Sequence, residues 1–113
     1  MTLHESLKAA KELESGENKL NVRVLDLISL KPLDRDGLRK NIEECGGRLL
    51  VVEEHYPEGG AGEAICGAAS GSIKKFEHLC VKRVPGSAKP TEQMELYEVD
   101  CKAIVERARK MME

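Results

Sequence analysis

Aromatic residues are almost missing from this 113-residue chain, which has one Phe, two Tyr and no Trp. Its core must therefore be built from Leu, Val, Ile, Met and Ala. Long apolar runs are missing too, since none approaches the roughly 20 residues that cross a bilayer. Positive charge is not in excess: the net charge is −2. That offers no general attraction to nucleic acid or to an anionic membrane, and neither is expected as a partner. Lys82, Arg83 and Lys89 around Pro85-Gly86-Ser87 form a local basic cluster, read as a solvated loop. Cys45, Cys66, Cys80 and Cys101 form no CxxC pair and have no close His spacing, which excludes the usual zinc patterns. Because Met1-Thr2-Leu3-His4-Glu5 turns polar at once, no secretory leader is expected. The four cysteines then read as buried free thiols of a cytoplasmic protein. Internal repeats and low-complexity linkers are absent as well.

What is present suits one globular domain over residues 1–113, since 41% of the residues are hydrophobic and 34% charged. Thr2-Leu3-His4-Glu5 has the form of a capping box, and Leu3, Leu7, Ala10 and Leu13 repeat at helical spacing up to a stop at Gly16. Residues 21–28, rich in Val, Leu and Ile, read as a strand. Asp34 then caps a second helix that runs to about Cys45, with Leu33 and Leu38 as its hydrophobic staple. Gly46-Gly47 supplies a left-handed stop. A third strand is expected over residues 76–84, a short helix from Thr91 to Tyr97, and a last helix capped by Asp100 with Ile104, Val105, Ala108, Met111 and Met112 on its apolar face. This alternation predicts an α/β fold with a mostly parallel sheet covered on both faces.

The chain is organised around Arg48-Leu49-Leu50-Val51-Val52-Glu53-Glu54-His55-Tyr56-Pro57-Glu58-Gly59-Gly60-Ala61-Gly62-Glu63. Four consecutive aliphatics predict a central strand buried on both faces, and a glycine turn then leads into a helix of small residues, Gly67, Ala68, Ala69, Ser70 and Gly71 among them. Open α/β sheets bind ligands beyond the carboxyl ends of their strands. Gly59, Gly60 and Gly62 are therefore the candidate anion-binding residues, their amides at a helix N-terminus. The loop matches neither the dinucleotide fingerprint nor the P-loop, and Glu53, Glu54, Glu58 and Glu63 surround it with negative charge. A tight turn is the plainer reading. His55 beside Glu53 and Glu54 has the composition of a general base or cation ligand, but acid–histidine neighbours are common on surfaces. His4 and His78 have no clustered partners in the sequence. Ser70 and Ser72 lack a nucleophile elbow, and no cysteine has an evident activating base. No catalytic, cofactor-binding or metal-binding residue is assigned.

Several segments closely resemble the C-terminal domain of transketolase, a thiamine-diphosphate-dependent enzyme family. They are Val22-Arg23-Val24-Leu25-Asp26-Leu27, Lys31-Pro32-Leu33-Asp34, Gly47-Arg48, Val52-Glu53-Glu54-His55-Tyr56-Pro57-Glu58-Gly59-Gly60-Ala61-Gly62-Glu63-Ala64, and Val84-Pro85 through Lys89. The resemblance implies a three-layer α/β/α domain with a mixed, mostly parallel sheet, here lacking the family's first strand. It also implies a parent homodimer that moves a two-carbon ketol unit between sugar phosphates in the pentose phosphate pathway. That parent uses thiamine diphosphate and a divalent cation, both held by preceding domains. The chain itself is then expected to be inactive and to bind no cofactor, with the parent's other domains and second subunit as its partners. The alternative is a free-standing regulatory or anion-binding module using the Gly59 to Gly62 loop.

Overall fold

The periodicity of the opening residues produces helix α1, Thr2–Leu13 in the computed structural model, which describes residues 2–15, 18–27, 33–54, 60–80 and 99–112. Ala9 and Leu13 are its buried positions, whereas Leu3 and Leu7 stay 37% and 50% exposed. The Glu5 carboxylate accepts from the Cys101 amide at 2.8 Å. Glu5 therefore serves the first turn of another helix, where sequence spacing had assigned it a capping box with Thr2.

Helix α2, Arg35–Glu44, starts at the expected cap, with Asp34 accepting from the Gly37 amide at 3.0 Å. Its end is set by Gly46 and Gly47 at φ 72° and 77°, a region open to glycine at little cost. Strand β1, Arg48–Val52, follows directly. Helix α3 spans Ala61–Ala69, β2 spans Lys75–Leu79, and α4 spans Cys101–Met111 with Asp100 accepting from the Ala103 amide at 3.1 Å. The stop at Gly16, residues 81–84 of the third strand, the basic cluster and the helix from Thr91 lie outside the described residues.

β1 and β2 pair in parallel, Leu49 opposite Phe76 and Val52 opposite Leu79. Alternation along β1 divides the core into two layers. Leu50 and Val52 pack with Ala9, Leu13, Leu79, Val99, Ile104 and Val105 on the α1/α4 side. Leu49 and Phe76 pack with Leu38, Ile42, Val51, Ile65, Ala68 and Ala69 on the α2/α3 side. Helices on both faces of a parallel sheet make this the expected three-layer α/β/α arrangement.

Two readings change. Residues 21–27 form no strand, although Leu20 and Val22 pack toward the α1/α4 layer and Leu27 toward the α2/α3 layer. Their packing alternates as in a strand, but they have no ladder partner among the described residues. For the same reason β1 is less enclosed than its four aliphatics predict, and only Val51 within it is buried. The cysteines also differ: all four are free, but only Cys80 is buried and the others are half-buried.

Candidate functional site

The carboxyl end of β1 is where the sequence placed the candidate loop, and there the chain turns Glu53 inward to 8% exposure. Alternation along β1 selects this side, and register completes the site. Val51 stands opposite His78, and Glu53, just beyond β1 and two residues past Val51 on the same face, reaches the imidazole diagonally. His78 Nε2 lies 2.7 Å from Glu53 Oε2. The other partners come from the start of α3, where the Ala61 amide donates to Glu53 Oε1 at 3.1 Å and the Gly62 amide donates to Oε2 at 2.8 Å. A carboxylate at this position meets the helix dipole and two amides that α3 itself cannot satisfy.

Gly60 caps α3 in extended backbone without a side-chain bond, and Gly62 is buried against the imidazole. Gly59 and His55 lie outside the described residues. Of the candidate anion-binding residues, the structure thus brings Gly62 to an anion, and that anion is the chain's own Glu53. Read from sequence, Glu53 was a source of repulsion; folded, it is the ligand of the helix.

For His78, where the sequence allows a solvated face or a strand hydrogen bond, the structure shows a hydrogen-bonded contact with Glu53. The signal available in the sequence was slight: a histidine on one predicted parallel strand and a glutamate ending another meet only once register is known. His78 also stacks obliquely with Phe76, centroids 5.9 Å apart. His4 is exposed. Ser72 Oγ donates to Glu43 at 2.8 Å, which leaves it in a surface contact rather than beside a base. Burial, and then the neighbouring Glu12 carboxylate 3.6 Å from Sγ, push the Cys101 thiol up from its ordinary pKa, the opposite of an activated nucleophile. Among the described residues, no three His, Cys, Asp or Glu side chains converge on a metal position. Among the described residues, the chemistry of this site is a polar lock joining the end of β1, β2 and α3.

A parallel sheet with helices on both faces, and a helix opened by glycines beyond its carboxyl end, defines an α/β domain of the doubly covered type. Within that class the comparison with known proteins is specific. The family model "Transketolase, C-terminal domain" matches residues 1–104, and the chain belongs to this family. It is 42% identical over 113 residues to human transketolase, covering 99% of this chain and 18% of that protein. It is 39% identical over 106 residues to bovine transketolase-like protein 1, covering 93% and 17%. The chain thus spans less than a fifth of the length of these relatives. Among solved structures, "Split gene transketolase, inactive beta4 tetramer" superposes with a TM-score of 0.84 at 30% identity, covering 97% of this chain and 36% of that one.

Proposed function

We propose that the chain acts as a single, non-catalytic C-terminal domain of a transketolase, with a structural and subunit-contact duty. The parent enzyme would transfer a two-carbon ketol unit between sugar phosphates in the cytoplasm. It would do so as a homodimer that holds thiamine diphosphate and a divalent cation outside this domain. The observation that carries the reading is the closure of Glu53 on the Ala61 and Gly62 amides and on His78, which spends the polar groups at the ligand-prone end of the sheet on the fold itself. The split-gene relative supports it, because a transketolase chain that contains such a domain is described there as an inactive tetramer. The competing reading, an anion-binding module on Gly59, Gly60 and Gly62, requires an incoming anion at the Gly62 amide to displace Glu53, a buried carboxylate that then loses amide partners.

The test is a ketol-transfer assay and a thiamine diphosphate titration on the 113-residue chain alone. We expect no turnover and no saturable binding. Turnover by this chain alone overturns the proposal. Phosphate titrated in parallel should leave the Gly62 amide resonance unmoved; a saturable shift there favours the anion-binding module.

A further inference from the structure

Strand β2 has an edge that faces away from β1. The Lys75 amide donates to the Gly47 carbonyl at 3.1 Å and the Glu53 amide donates to the Leu79 carbonyl at 2.9 Å. In a parallel ladder, alternate residues direct both backbone groups to the same side, so Lys75, Glu77 and Leu79 serve β1. Phe76 and His78 then direct their N–H and C=O groups to the far edge. No described residue bonds them there.

Side chains along this edge alternate in kind as well as in face. Lys75 and Glu77 stand on the α4 side, where the Lys75 ammonium donates to the Met111 carbonyl at 2.8 Å and Arg107 donates to Glu77 at 2.7 Å. Phe76, between them, packs on the α2/α3 side. The Glu77 and Arg107 side chains are 35% and 27% exposed, so this ion pair can be reached from outside the fold.

Charges on an edge strand ordinarily keep it from pairing. Here opposite charges flank one aromatic residue, and a two-fold axis turns that order into complementarity. When two β2 edges pair antiparallel about Phe76, each Phe76 exchanges two backbone bonds with its counterpart, Lys75 stands opposite Glu77 twice, and His78 stands opposite Lys74. Centred on Glu77, the pairing sets two carboxylates against each other. Centred on His78, it leaves Lys75 and Glu77 without an ionic partner across the edge. An axis perpendicular to the sheet also keeps like layers together. Lys75, Glu77 and Arg107 of both copies then meet on the α4 side and the two Phe76 rings on the other.

We propose that the far edge of β2 pairs antiparallel with the same edge of a second copy of this chain, in the register centred on Phe76. The two sheets become one, with helices on both faces. The inference rests on the subunit-contact reading above and names a surface for that contact.

The experiment is sedimentation equilibrium of the 113-residue chain from micromolar to millimolar concentration, with amide exchange followed by NMR over the same range. We expect a reversible dimer and at least tenfold slower exchange at Phe76 and His78 when it forms. Lys75→Glu and Glu77→Lys should each weaken the dimer at least tenfold, because each sets like charges opposite one another. An equimolar mixture of the two variants should restore it, since one edge is then acidic and the other basic; recovery also shows that both variants fold. A chain that stays monomeric at millimolar concentration overturns this inference and leaves the non-catalytic reading intact, which only turnover overturns. A dimer that leaves Phe76 and His78 exchange unchanged also overturns it, because association then uses another surface. So does a mixture of folded variants that fails to pair.

Discussion

Gly62 and His78 are sterically matched: a Cβ built on Gly62 lies 2.5 Å from Cε1 of the imidazole and 2.7 Å from Nε2. The absence of a side chain on α3 is what allows the ring of β2 to reach Glu53. Gly62→Ala should therefore cost about 2 kcal/mol, as expected for overpacking a tight site. In a His78→Ala background the same substitution should be nearly neutral. A coupling energy of about 1 kcal/mol or more from a urea double-mutant cycle is the expected result; additive effects would mean that the strain arises elsewhere.

Glu53 holds the two halves of the sheet-to-helix junction, and removing its charge tests how much of that grip is ionic. Glu53→Ala leaves the Ala61 and Gly62 amides and His78 without their acceptor and should cost roughly 3 kcal/mol. Glu53→Gln keeps one carbonyl acceptor but points an amide donor at a donor, so it should recover less than half of that loss. Chemical denaturation of the two variants measures the ordering.

Glycines of this chain should respond oppositely to alanine. At Gly47 the backbone is left-handed and an added Cβ meets Lys74 Cγ at 2.8 Å, so Gly47→Ala should destabilise by about 2 kcal/mol. At Gly67, inside α3, nothing lies within 4 Å of the added atom, and Gly67→Ala should stabilise by up to about 1 kcal/mol. Thermal melting of both variants provides the check. A loss of stability at Gly67 would show that this face of the helix is covered in solution.

Acid should loosen the tie between residues 20–27 and α2. The hydrogen bond from Arg23 holds the Glu44 carboxyl below its ordinary range and raises Arg23 in turn. A depressed acid stabilises the fold above its unfolded-state pKa, and that contribution disappears as pH falls through the folded-state pKa. In Arg23→Gln the Glu44 titration, followed by carboxyl carbon shifts, should return upward toward the ordinary glutamate value. Both side chains are 43% exposed, so added salt should narrow the difference.

Local chemistry was largely readable from the sequence. Asp34 and Asp100 cap helices because their short carboxylates reach amides two or three residues on, and Gly46-Gly47 ends α2 because few other residues take a positive φ. The aliphatic run of β1 declared a strand by itself, and the motif around Glu53 to Glu63 declared the family. Partners across the fold were not readable. Glu5 bonds Cys101, 96 residues away, and Glu53 bonds His78, 25 residues away. Residues 21–27 have the composition of a strand and still form none, because a strand requires a second backbone beside it. Propensity, capping and turn geometry act within a few residues and so are written locally in the sequence. Which carboxylate reaches which amide, and whether β1 has a neighbour on its open edge, depend on register and layer packing, which only the tertiary structure decides.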